Sequence, residues 1–455
     1  MRVFHSPDHV RHFPKTFIAR GQVIESPEKP ERAEVLLKAL AEKTGGKFTT
    51  KGVRDVRKAL EDPTLDAISI ATPNHWHSLM TIWAAQAGKH VYVEKPMSHD
   101  VAEGRVVVAA QRKYGVVIQH GTQRRSDAKV AGLHEAIQAG RFGKLKVSYG
   151  YCCKPRASID FKSVGAAPSH LDWNLWQGPA QVQPFQINTG RKKPGLHVHY
   201  DWHYFWEYGN GEIGNQGVHQ MDIACWGHHR GLPVRVHSAG GRFGMDDDGM
   251  TPNTQSTTFA YADGSIMTFQ VRNLGSFQEM DGGDCGNSFF GTKGFYVVGK
   301  GFFTYKQGRM SERQAIPVPE GAVAEGDGNP FRSFIKACRS RKQEDAPMSV
   351  EDAHVSCAHC HLGNISHVLG KASAPDALRE RIRGNAGLAE ACGRMMEHLG
   401  ANAVDLKGTP LTLGALLQVA PGTERFTGEF AAAANPLLTR QYRAPFTVPD
   451  LSGKA

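Results

Sequence analysis

The stretch Val91-Tyr92-Val93-Glu94-Lys95-Pro96 decides the fold that this sequence predicts. Its first half has the β-branched and aromatic composition of a buried strand. Proline cannot donate a hydrogen bond to a central ladder, so the strand is expected to end there, with Lys95 at its carboxyl end. In open α/β sheets, ligands bind at that edge. The stretch therefore predicts both a strand and the place where functional side chains collect.

Strands and helices alternate on both sides of this stretch. Apolar segments at 67–73 and 116–119 are predicted strands, and helices are predicted over 78–87 and 101–114, after a helical region within 29–60. Strands separated by helices of about 10–15 residues indicate βαβ units and a parallel sheet. We therefore predict a parallel-sheet α/β domain over residues 1–145.

After Gly143 the pattern changes to short alternating strands with hairpin turns, of which Ala262-Asp263-Gly264 is the clearest. Helices return after residue 330. This pattern predicts an α+β domain over residues 146–372, with a predominantly antiparallel, open-faced sheet. Residues 373–455 are predicted to form a carboxyl-terminal extension with one amphipathic helix. The predicted strands and helices of this region are 146–151, 255–261, 265–271, 294–299, 302–305, 330–340 and 350–369.

A second informative stretch, Gly-Asn-Gly-Glu-Ile-Gly-Asn-Gln-Gly-Val-His-Gln-Met-Asp over 209–222, reads as a glycine-rich turn that feeds a helix. Asn215, His219 and Asp222 stand at spacings of four and three, which predicts one shared helical face. An imidazole there and Lys95 in the same cleft would handle proton and charge during chemistry on an alcohol. The alternatives are a hydrogen-bonded core histidine for His219 and a surface salt bridge with Glu94 for Lys95.

Composition excludes several classes of protein. A chain of 455 residues with 40% hydrophobic and 22% charged residues is ordinary for a globular protein of two domains. No apolar run approaches the ~20 residues of a membrane span, and no secretory signal pattern is visible, so we expect a cytoplasmic protein without a membrane partner. The net charge of +10 is spread over dispersed basic residues, which predicts no nucleic-acid partner.

The segment Cys357-Ala358-His359-Cys360-His361 matches the attachment pattern of c-type haem. It lies within the helical stretch 350–369, however, and no second cluster of ligands stands nearby to complete a zinc site. We expect both cysteines to be inert helix residues and expect no metal site.

These motifs together resemble those of the glucose–fructose oxidoreductase / inositol dehydrogenase (Gfo/Idh/MocA) family, from about residue 31 to residue 369. The resemblance rests on Ala-Thr-Pro-Asn-His-Trp-His at 71–77, Glu94-Lys95-Pro96, Gly-Thr-Gln-Arg-Arg at 121–125, and the stretch that ends in His219 and Asp222. It implies a Rossmann-like domain that binds NAD or NADP and a sheet domain that holds a sugar or polyol. It also implies a homo-oligomer formed through the antiparallel sheet.

The resemblance implies roles for individual residues. Lys95 and His219 would be catalytic. Substrate would be bound by Arg124, His203, Asn215 and Asp222. The cofactor would be bound by Glu25, Thr72, Pro73, Asn74, His77, Glu94, Lys95 and Gln123. The alternative for Thr72-Pro73-Asn74 is a simple strand-to-helix turn with an asparagine cap.

Two features depart from the family pattern. Asn215 stands where the dehydrogenases often have an aspartate, and an asparagine can orient an imidazole but cannot stabilise an imidazolium by charge. A similar Asn-Gln-Gly-x-His stretch occurs in glycoside-cleaving branches. A dinucleotide fold also needs a glycine-rich loop after its first strand. Residues 1–20 contain no glycine, although Glu25 is a candidate for the ribose-binding acid. The Rossmann-like domain is therefore expected to be incomplete at its start.

We expect an NAD(P)-dependent oxidoreductase that acts on a hydroxyl group of a sugar, polyol or glycoside. One alternative is an NAD-dependent enzyme that cleaves glycosides through transient oxidation. Another is a catalytically impaired ligand-binding homologue, which the missing glycine loop favours. The sequence leaves open the substrate, its stereochemistry and the choice between NAD and NADP.

Overall fold

The computed structural model describes the backbone of residues 16–19 and 22–25, and then residues 55–189, 197–275, 283–306, 309–318 and 328–451. Most of the predicted helical region within 29–60 and the expected position of the glycine loop lie outside the described residues, as does the side chain of Glu25. Strands β1 (Thr16–Ala19) and β2 (Gln22–Glu25) pair in antiparallel orientation.

Among the described residues, three parallel strands form the first sheet, and they confirm the three predicted strands. In spatial and chain order these are β3 (Ala67–Ile70), β4 (His90–Val93) and β5 (Ile118–His120). The helices that alternate with them are α1 (Val56–Leu60), α2 (Asn74–Gln86) and α3 (Val101–Tyr114). Every residue of β4 is buried, so this central strand carries Glu94 and Lys95 to the carboxyl edge of the sheet.

Local signals explain why α3 was predicted with the correct ends. The Asp100 carboxylate accepts a hydrogen bond from the backbone amide of Glu103 and caps the first turn. The helix ends at Gly115, whose φ of 62° lies in the left-handed region that glycine adopts without strain. Both signals are contained in the sequence itself.

The second domain is built on a twelve-stranded mixed sheet. Only β6 and β11 pair in parallel, and the other neighbouring strands are antiparallel. A separate hairpin is formed by β7 (Lys162–Val164) and β8 (Gln186–Asn188). The strands of the large sheet are β6 (Leu145–Cys152), β9 (Arg235–Gly241), β10 (Thr254–Ala260), β11 (Ile266–Arg272), β12 (Cys285–Gly291), β13 (Gly294–Val297), β14 (Gly301–Lys306), β15 (Arg309–Ile316), β16 (Lys371–Ser373), β17 (Leu411–Leu413), β18 (Leu417–Ala420) and β19 (Arg425–Thr427).

Helices cover both faces of this sheet. On the inner face, Ser148 of β6 donates to the carbonyl of Ala224, and Thr257 of β10 lies against Gly363. On the outer face, Ser256 and Gln270 donate to the carbonyl of Ala391. The remaining helices of the described residues are α4 (Ala128–Gln138), α5 (Trp173–Gln177), α6 (Gly211–Gly214), α7 (Gly217–His228), α8 (Pro330–Ser340), α9 (Val350–Val368), α10 (Pro375–Ile382), α11 (Ala386–Ala401) and α12 (Ala431–Ala434). Of these, α8 packs on the parallel sheet, against Tyr92 of β4. Consecutive residues of β10 therefore face α9 and α11 on opposite sides.

The residues after 372 belong to this sheet rather than to a separate extension. Strands β17 and β18 both pair with β9, and the described residues of this segment contain three helices, α10, α11 and α12, where the sequence predicted one. The apolar side chains of α11, among them Leu388, Met395 and Leu399, form a core with Ala239 of β9. Strands of three or four residues carry too little alternating pattern to be recognised in a sequence. Helix α11 covers part of the outer face of the antiparallel sheet, the sheet that was predicted to form the oligomer contact.

The two cysteines of the haem-like pattern lie in the interior of α9. Cys357 and Cys360 are fully buried, and burial raises the pKa of the Cys357 thiol to about 12. The Cys360 thiol donates to the carbonyl of Ile213. Within the described ranges, none of the helices combines the length and the apolar composition of a membrane span.

A buried ion pair joins the two domains. Arg125, in the 3₁₀ turn Gln123–Ser126 after β5, donates to both carboxylate oxygens of Asp222 on α7, each at 2.9 Å. The two side chains are 2% and 0% exposed. Ser356 of α9 donates to the same carboxylate at 2.8 Å, and the indole of Trp226 lies 4.6 Å from the guanidinium. The domain interface therefore depends on a fully paired charge.

Removing one member of this pair should strongly destabilise the protein. We expect Asp222→Asn to lower the free energy of unfolding by about 3–5 kcal/mol, because Arg125 would keep its buried charge with only the more distant and more exposed Asp352 carboxylate, at 3.5 Å, as a counter-charge. Arg125 lowers the pKa of Asp222, so this contribution is present above the carboxyl pKa of the unfolded chain and is lost as the pH falls through the folded pKa. Urea denaturation measures the change.

The neighbouring variant Arg124→Ala is the matched control. Its side chain is 53% exposed and pairs with Asp127 at 3.4 Å, so we expect a change below about 1 kcal/mol. Equal effects of the two substitutions would contradict the assignment of the Arg125–Asp222 pair as the domain contact.

Candidate functional site

The carboxyl edge of the parallel sheet brings most of the predicted cofactor-binding residues together. Thr72, Pro73 and Asn74 follow β3, Glu94 and Lys95 follow β4, and Gln123 follows β5. The strand ends approach closely, because a Cβ atom at Gly121 would lie 3.0 Å from the Cα atom of Glu94. Glycine is required at this position to let the β4 and β5 ends meet.

Asn74 has a donor that is free for a ligand. Asn74 was predicted to bind the cofactor, with a helix cap as the alternative; Pro73 occupies the cap position, and Asn74 is the first residue of α2. Its amide nitrogen Nδ2 is enclosed and has no hydrogen-bond partner among the residues that the structure describes. An unpaired buried donor costs about 1–3 kcal/mol, which an acceptor on a bound cofactor would offset. The residue therefore fits the predicted cofactor site.

His77 does not fit the role that the sequence predicted. Its Nδ1 lies 2.7 Å from the carbonyl of Pro96, and its Nε2 lies 2.7 Å from the carbonyl of Thr72. Burial lowers the pKa of His77 to about 4, so the neutral ring donates to only one of the two carbonyls. Neither ring nitrogen is available to a cofactor. His77 instead ties together the segments that follow β3 and β4.

Glu94 and Gln123 form a polar pair above β4 and β5. The Gln123 amide donates to the Glu94 carboxylate at 3.3 Å. Burial raises the pKa of Glu94, while the charge of Lys95 acts in the opposite direction. This partly buried carboxyl group next to an amide can accept hydrogen bonds from ribose hydroxyls.

Lys95 connects the first domain to the second. Its ammonium group donates to both the backbone carbonyl and the side-chain Oδ1 of Asn215, each at 2.9 Å. The Asn215 amide nitrogen in turn donates to the Tyr200 hydroxyl and the Glu212 carboxylate, each at 3.4 Å. Burial lowers the pKa of Lys95, and the charges of Glu94 and Glu212 oppose that effect.

Two imidazoles lie within the electrostatic reach of Lys95. Burial lowers the pKa of His219 to about 3, and the charge of Lys95 adds to this effect. The same two causes lower the pKa of His203 to about 3. The Nδ1 of His203 donates to the carbonyl of Tyr200 at 2.6 Å, and its ring stacks on Trp202 at 3.6 Å between centroids. Both rings are neutral at physiological pH, and both are partly exposed.

The prediction that Asn215, His219 and Asp222 share one helical face is wrong for Asn215. The helical conformation is interrupted between α6 and α7, and Asn215 lies in this break with φ −89° and ψ −90°. The backbone turns there because Gly217 packs tightly, with its Cβ position 2.9 Å from the carbonyl of Glu212. Asn215 still reaches the site, but it does so from the break and not from the helix that carries His219.

Two predicted substrate-binding residues lie outside the site. Asp222 is enclosed in the ion pair with Arg125, so its oxygens are already occupied. Arg124 points to the surface and pairs with Asp127. His203 and Asn215 are the two members of that predicted set that the structure places beside Lys95.

A buried carboxylate behind the site was missed by the sequence reasoning. Glu212 is fully buried and accepts from Arg156 at 2.5 Å and from the Tyr204 hydroxyl at 3.3 Å. The signal was a charged residue within a glycine-rich turn, which reads equally well as a solvent-exposed loop. Its partner Arg156 lies 56 residues earlier and could not be found from spacing.

Family comparisons agree with this architecture. Residues 24–122 match a model described as an oxidoreductase family with an NAD-binding Rossmann fold. Residues 158–398 match the model of the C-terminal alpha/beta domain of that oxidoreductase family. The fold and the edge site thus define a Rossmann-fold oxidoreductase. The chain belongs to the Gfo/Idh/MocA family.

Individual relatives match shorter parts of the chain. A 1,5-anhydro-D-fructose reductase from Ensifer adhaerens is 33% identical over 125 residues, which is 28% of this chain and 34% of that protein. A scyllo-inositol 2-dehydrogenase (NAD(+)) from Bacillus subtilis is 38% identical over 94 residues, 21% and 28% of the two chains. The chain thus spans about a third of the length of these relatives. An oxidoreductase domain protein from Kribbella flavida has a TM-score of 0.49 at 17% identity, covering 72% of this chain and 85% of its own.

The buried Glu212 carboxylate should control the ionisation of Lys95. Its negative charge favours the ammonium form, so Glu212→Gln is expected to lower the pKa of Lys95 further. Competitive acetylation of the intact protein across a pH series, with peptide mass spectrometry of Lys95, would show the labelling midpoint at lower pH. Glu207→Gln, the same change five residues earlier, is the control. An unmoved midpoint in Glu212→Gln with an intact circular dichroism spectrum would contradict the coupling.

Proposed function

We propose that this protein is an NAD(P)-dependent oxidoreductase that oxidises a hydroxyl group of a sugar, polyol or glycoside. The observation that carries the proposal is the convergence of Lys95, Asn215 and two neutral imidazoles at the carboxyl edge of a Rossmann-fold sheet. The names of the reductase and the inositol dehydrogenase among its relatives support this substrate class.

The residues at the sheet edge would hold the cofactor. Asn74 offers its unpaired amide, Glu94 and Gln123 offer groups for ribose hydroxyls, and Thr72 and Pro73 are partly exposed at the β3 end. When bound, NAD(P) accepts the hydride from the hydroxyl-bearing carbon. Glu25 stays a candidate for the adenosine ribose.

Lys95 stabilises the negative charge that develops on the substrate oxygen. An ammonium group in a partly buried cleft is already oriented by Asn215, so it acts with little reorganisation. The asparagine adds no charge of its own. Behind it, the buried carboxylate of Glu212 keeps the amide nitrogen of Asn215 turned away from Lys95, so that Oδ1 faces the ammonium.

His219 takes the hydroxyl proton in this proposal. The ring is neutral at physiological pH and therefore has a lone pair to accept with. A pKa of about 3 makes it a weak base in the ligand-free protein. Lys95, whose pKa is lowered from its usual value toward the working pH, is the second candidate acceptor. The two candidates are distinguished by the variants described below.

Asn215 favours a second candidate function. Its neutral amide in place of a carboxylate also suits an enzyme that cleaves a glycoside through transient oxidation and re-reduction, in which no net redox change accumulates. A catalytically impaired ligand-binding protein is the third alternative.

We also propose that the protein acts as a homo-oligomer in the cytoplasm. The outer face of β12–β15, beyond the area that α11 covers, carries a row of stacked aromatic rings. Phe295 lies 5.6 Å from Phe290 and 4.9 Å from Phe303 between centroids, and the two outer rings are partly exposed. A second copy of the chain would bury this row.

The first experiment separates the three functions. Purified protein is examined by mass spectrometry for retained nucleotide and then incubated with NAD⁺ or NADP⁺ and a panel of sugars, polyols and aryl glycosides. Accumulation of reduced nicotinamide is expected. Aglycone release without net reduction would favour glycoside cleavage, and absence of both binding and turnover would contradict enzyme function.

The second experiment tests the two catalytic residues. Lys95→Ala and His219→Ala are each expected to lower kcat by about 10²-fold or more without loss of folded structure. Lys95→Arg keeps the positive charge but cannot release a proton at working pH. Recovery of turnover in Lys95→Arg would assign charge stabilisation to Lys95 and the proton to His219. Arg124→Ala is the control, and near-normal kcat in either alanine variant would refute that residue's role.

A further inference from the structure

A cavity of about 240 Å³ lies beside α2. Its walls come from α2, the start of α3 and the carboxyl-terminal segment 440–442, with a rim formed by residues 179–181 and 206–207. His77 faces the Pro96 carbonyl, whereas His75, two residues earlier on α2, faces the Trp176 carbonyl and this cavity. Neither Lys95 nor His219 lines it. The cavity is therefore separate from the proposed catalytic site.

Its size fits one sugar ring. At roughly 30 Å³ for each water molecule, the cavity has room for about eight waters. This volume suits a single six-membered ring with its hydroxyl groups.

Two buried imidazoles supply hydrogen-bond acceptors. The Nε2 of His75 lies 2.9 Å from the Trp176 carbonyl, and the Nε2 of His99 lies 3.2 Å from the Gly209 carbonyl. A carbonyl only accepts, so each Nε2 carries the proton, and burial keeps both rings neutral by lowering the pKa. Each Nδ1 is therefore an acceptor. Both histidines are 2% exposed, and the Nδ1 of His75 is without a partner in the described part of the chain.

A donor stands in the same wall. Burial raises the pKa of Glu103, whose Oε2 accepts a hydrogen bond from the backbone amide of His99 at 2.8 Å. The Arg440 guanidinium donates to the Trp206 carbonyl and to Asn210, while its Nε is enclosed and unpaired within the described residues. The unpaired Arg440 Nε and the unpaired His75 Nδ1 therefore belong to residues that line the same cavity.

This mixture selects for hydroxyl groups. A phosphate or carboxylate needs donors only, and the acceptor nitrogens of His75 and His99 would repel it. The carboxylates of Asp100 and Glu207 act on Arg440 and offset its positive charge. A hydroxyl group donates and accepts at once and satisfies both kinds of neighbour. Trp206 at the rim provides an aromatic surface for the C–H face of a sugar. We propose that this cavity is a second binding site, which holds one neutral pyranose unit.

The occupant would touch the segment that leads into the catalytic site. Arg440 bonds to Trp206 and Asn210, and Asn210 immediately precedes α6, whose end carries Asn215. The Tyr442 hydroxyl donates to Asp100 at 2.7 Å and holds the carboxyl-terminal wall against α3. A sugar bound here would stabilise the segment 210–215 from outside the catalytic site. The sugar would be a free monosaccharide or one unit of a longer glycoside.

Hydrogen exchange locates the site without depending on catalysis. D-glucose, maltotriose, sodium acetate and inorganic phosphate serve as probes for the wild-type chain. Glucose is expected to protect peptides that cover 99–105 and 440–446, and maltotriose to do the same if the unit belongs to a longer glycoside. Protection confined to 211–219, protection by acetate or phosphate alone, or no protection by either sugar would each overturn the proposal.

Variants then test the lining. His75→Phe and Trp206→Ala should weaken glucose binding at least about tenfold in isothermal titration, a change of about 1.4 kcal/mol. Gln181→Trp, a rim substitution that should preserve the fold, blocks the entrance and should have the same effect. Lys95→Ala is the matched control and should leave the protection of 99–105 unchanged. Loss of protection in Lys95→Ala with normal binding in Gln181→Trp would overturn the proposal, whether or not the oxidoreductase activity exists.

Discussion

The hydrogen bonds between Lys95 and Asn215 are the contact on which the candidate site depends. They join the edge of the parallel sheet to the break between α6 and α7, so that one residue from each domain fixes the other. The position of Lys95 follows from the complete burial of β4 and from the proline that stops the strand. The position of Asn215 follows from glycines that let the backbone turn sharply. Without both constraints, the ammonium group of Lys95 would not be held near the imidazoles of His203 and His219.

Desolvation sets the electrostatic character of this cleft. Burial, reinforced by the charge of Lys95, drives the imidazoles toward neutrality. Burial also lowers the pKa of the lysine, and the buried carboxylate of Glu212 acts from behind an amide. The negative charge of Glu212 thus favours the ammonium form of Lys95 without being presented to a ligand. Such a site stabilises negative charge that develops on the substrate during a reaction more than it attracts a ligand that is already charged.

Local sequence signals were sufficient for the parallel sheet, because β3, β4 and α3 are each specified by their own residues. Contacts between distant segments were not predictable. Asp222 was assigned to the cleft by helical spacing, yet its partner Arg125 lies 97 residues away in another domain. His77 was assigned to the cofactor by resemblance, and only the fold shows that two carbonyls occupy its ring. Glu212 was missed because a turn glycine pattern gives no indication of burial.

The pairing of β17 and β18 with β9 has a consequence for how the chain is made. Strand β9 is synthesised near the middle of the polypeptide, but the strands that complete its outer edge leave the ribosome much later. Until then β9 presents open backbone groups, the kind of edge that recruits strands from other molecules. Folding of the second domain must therefore wait for the last part of the chain, and during that interval the nascent protein would benefit from a chaperone that shields the strand.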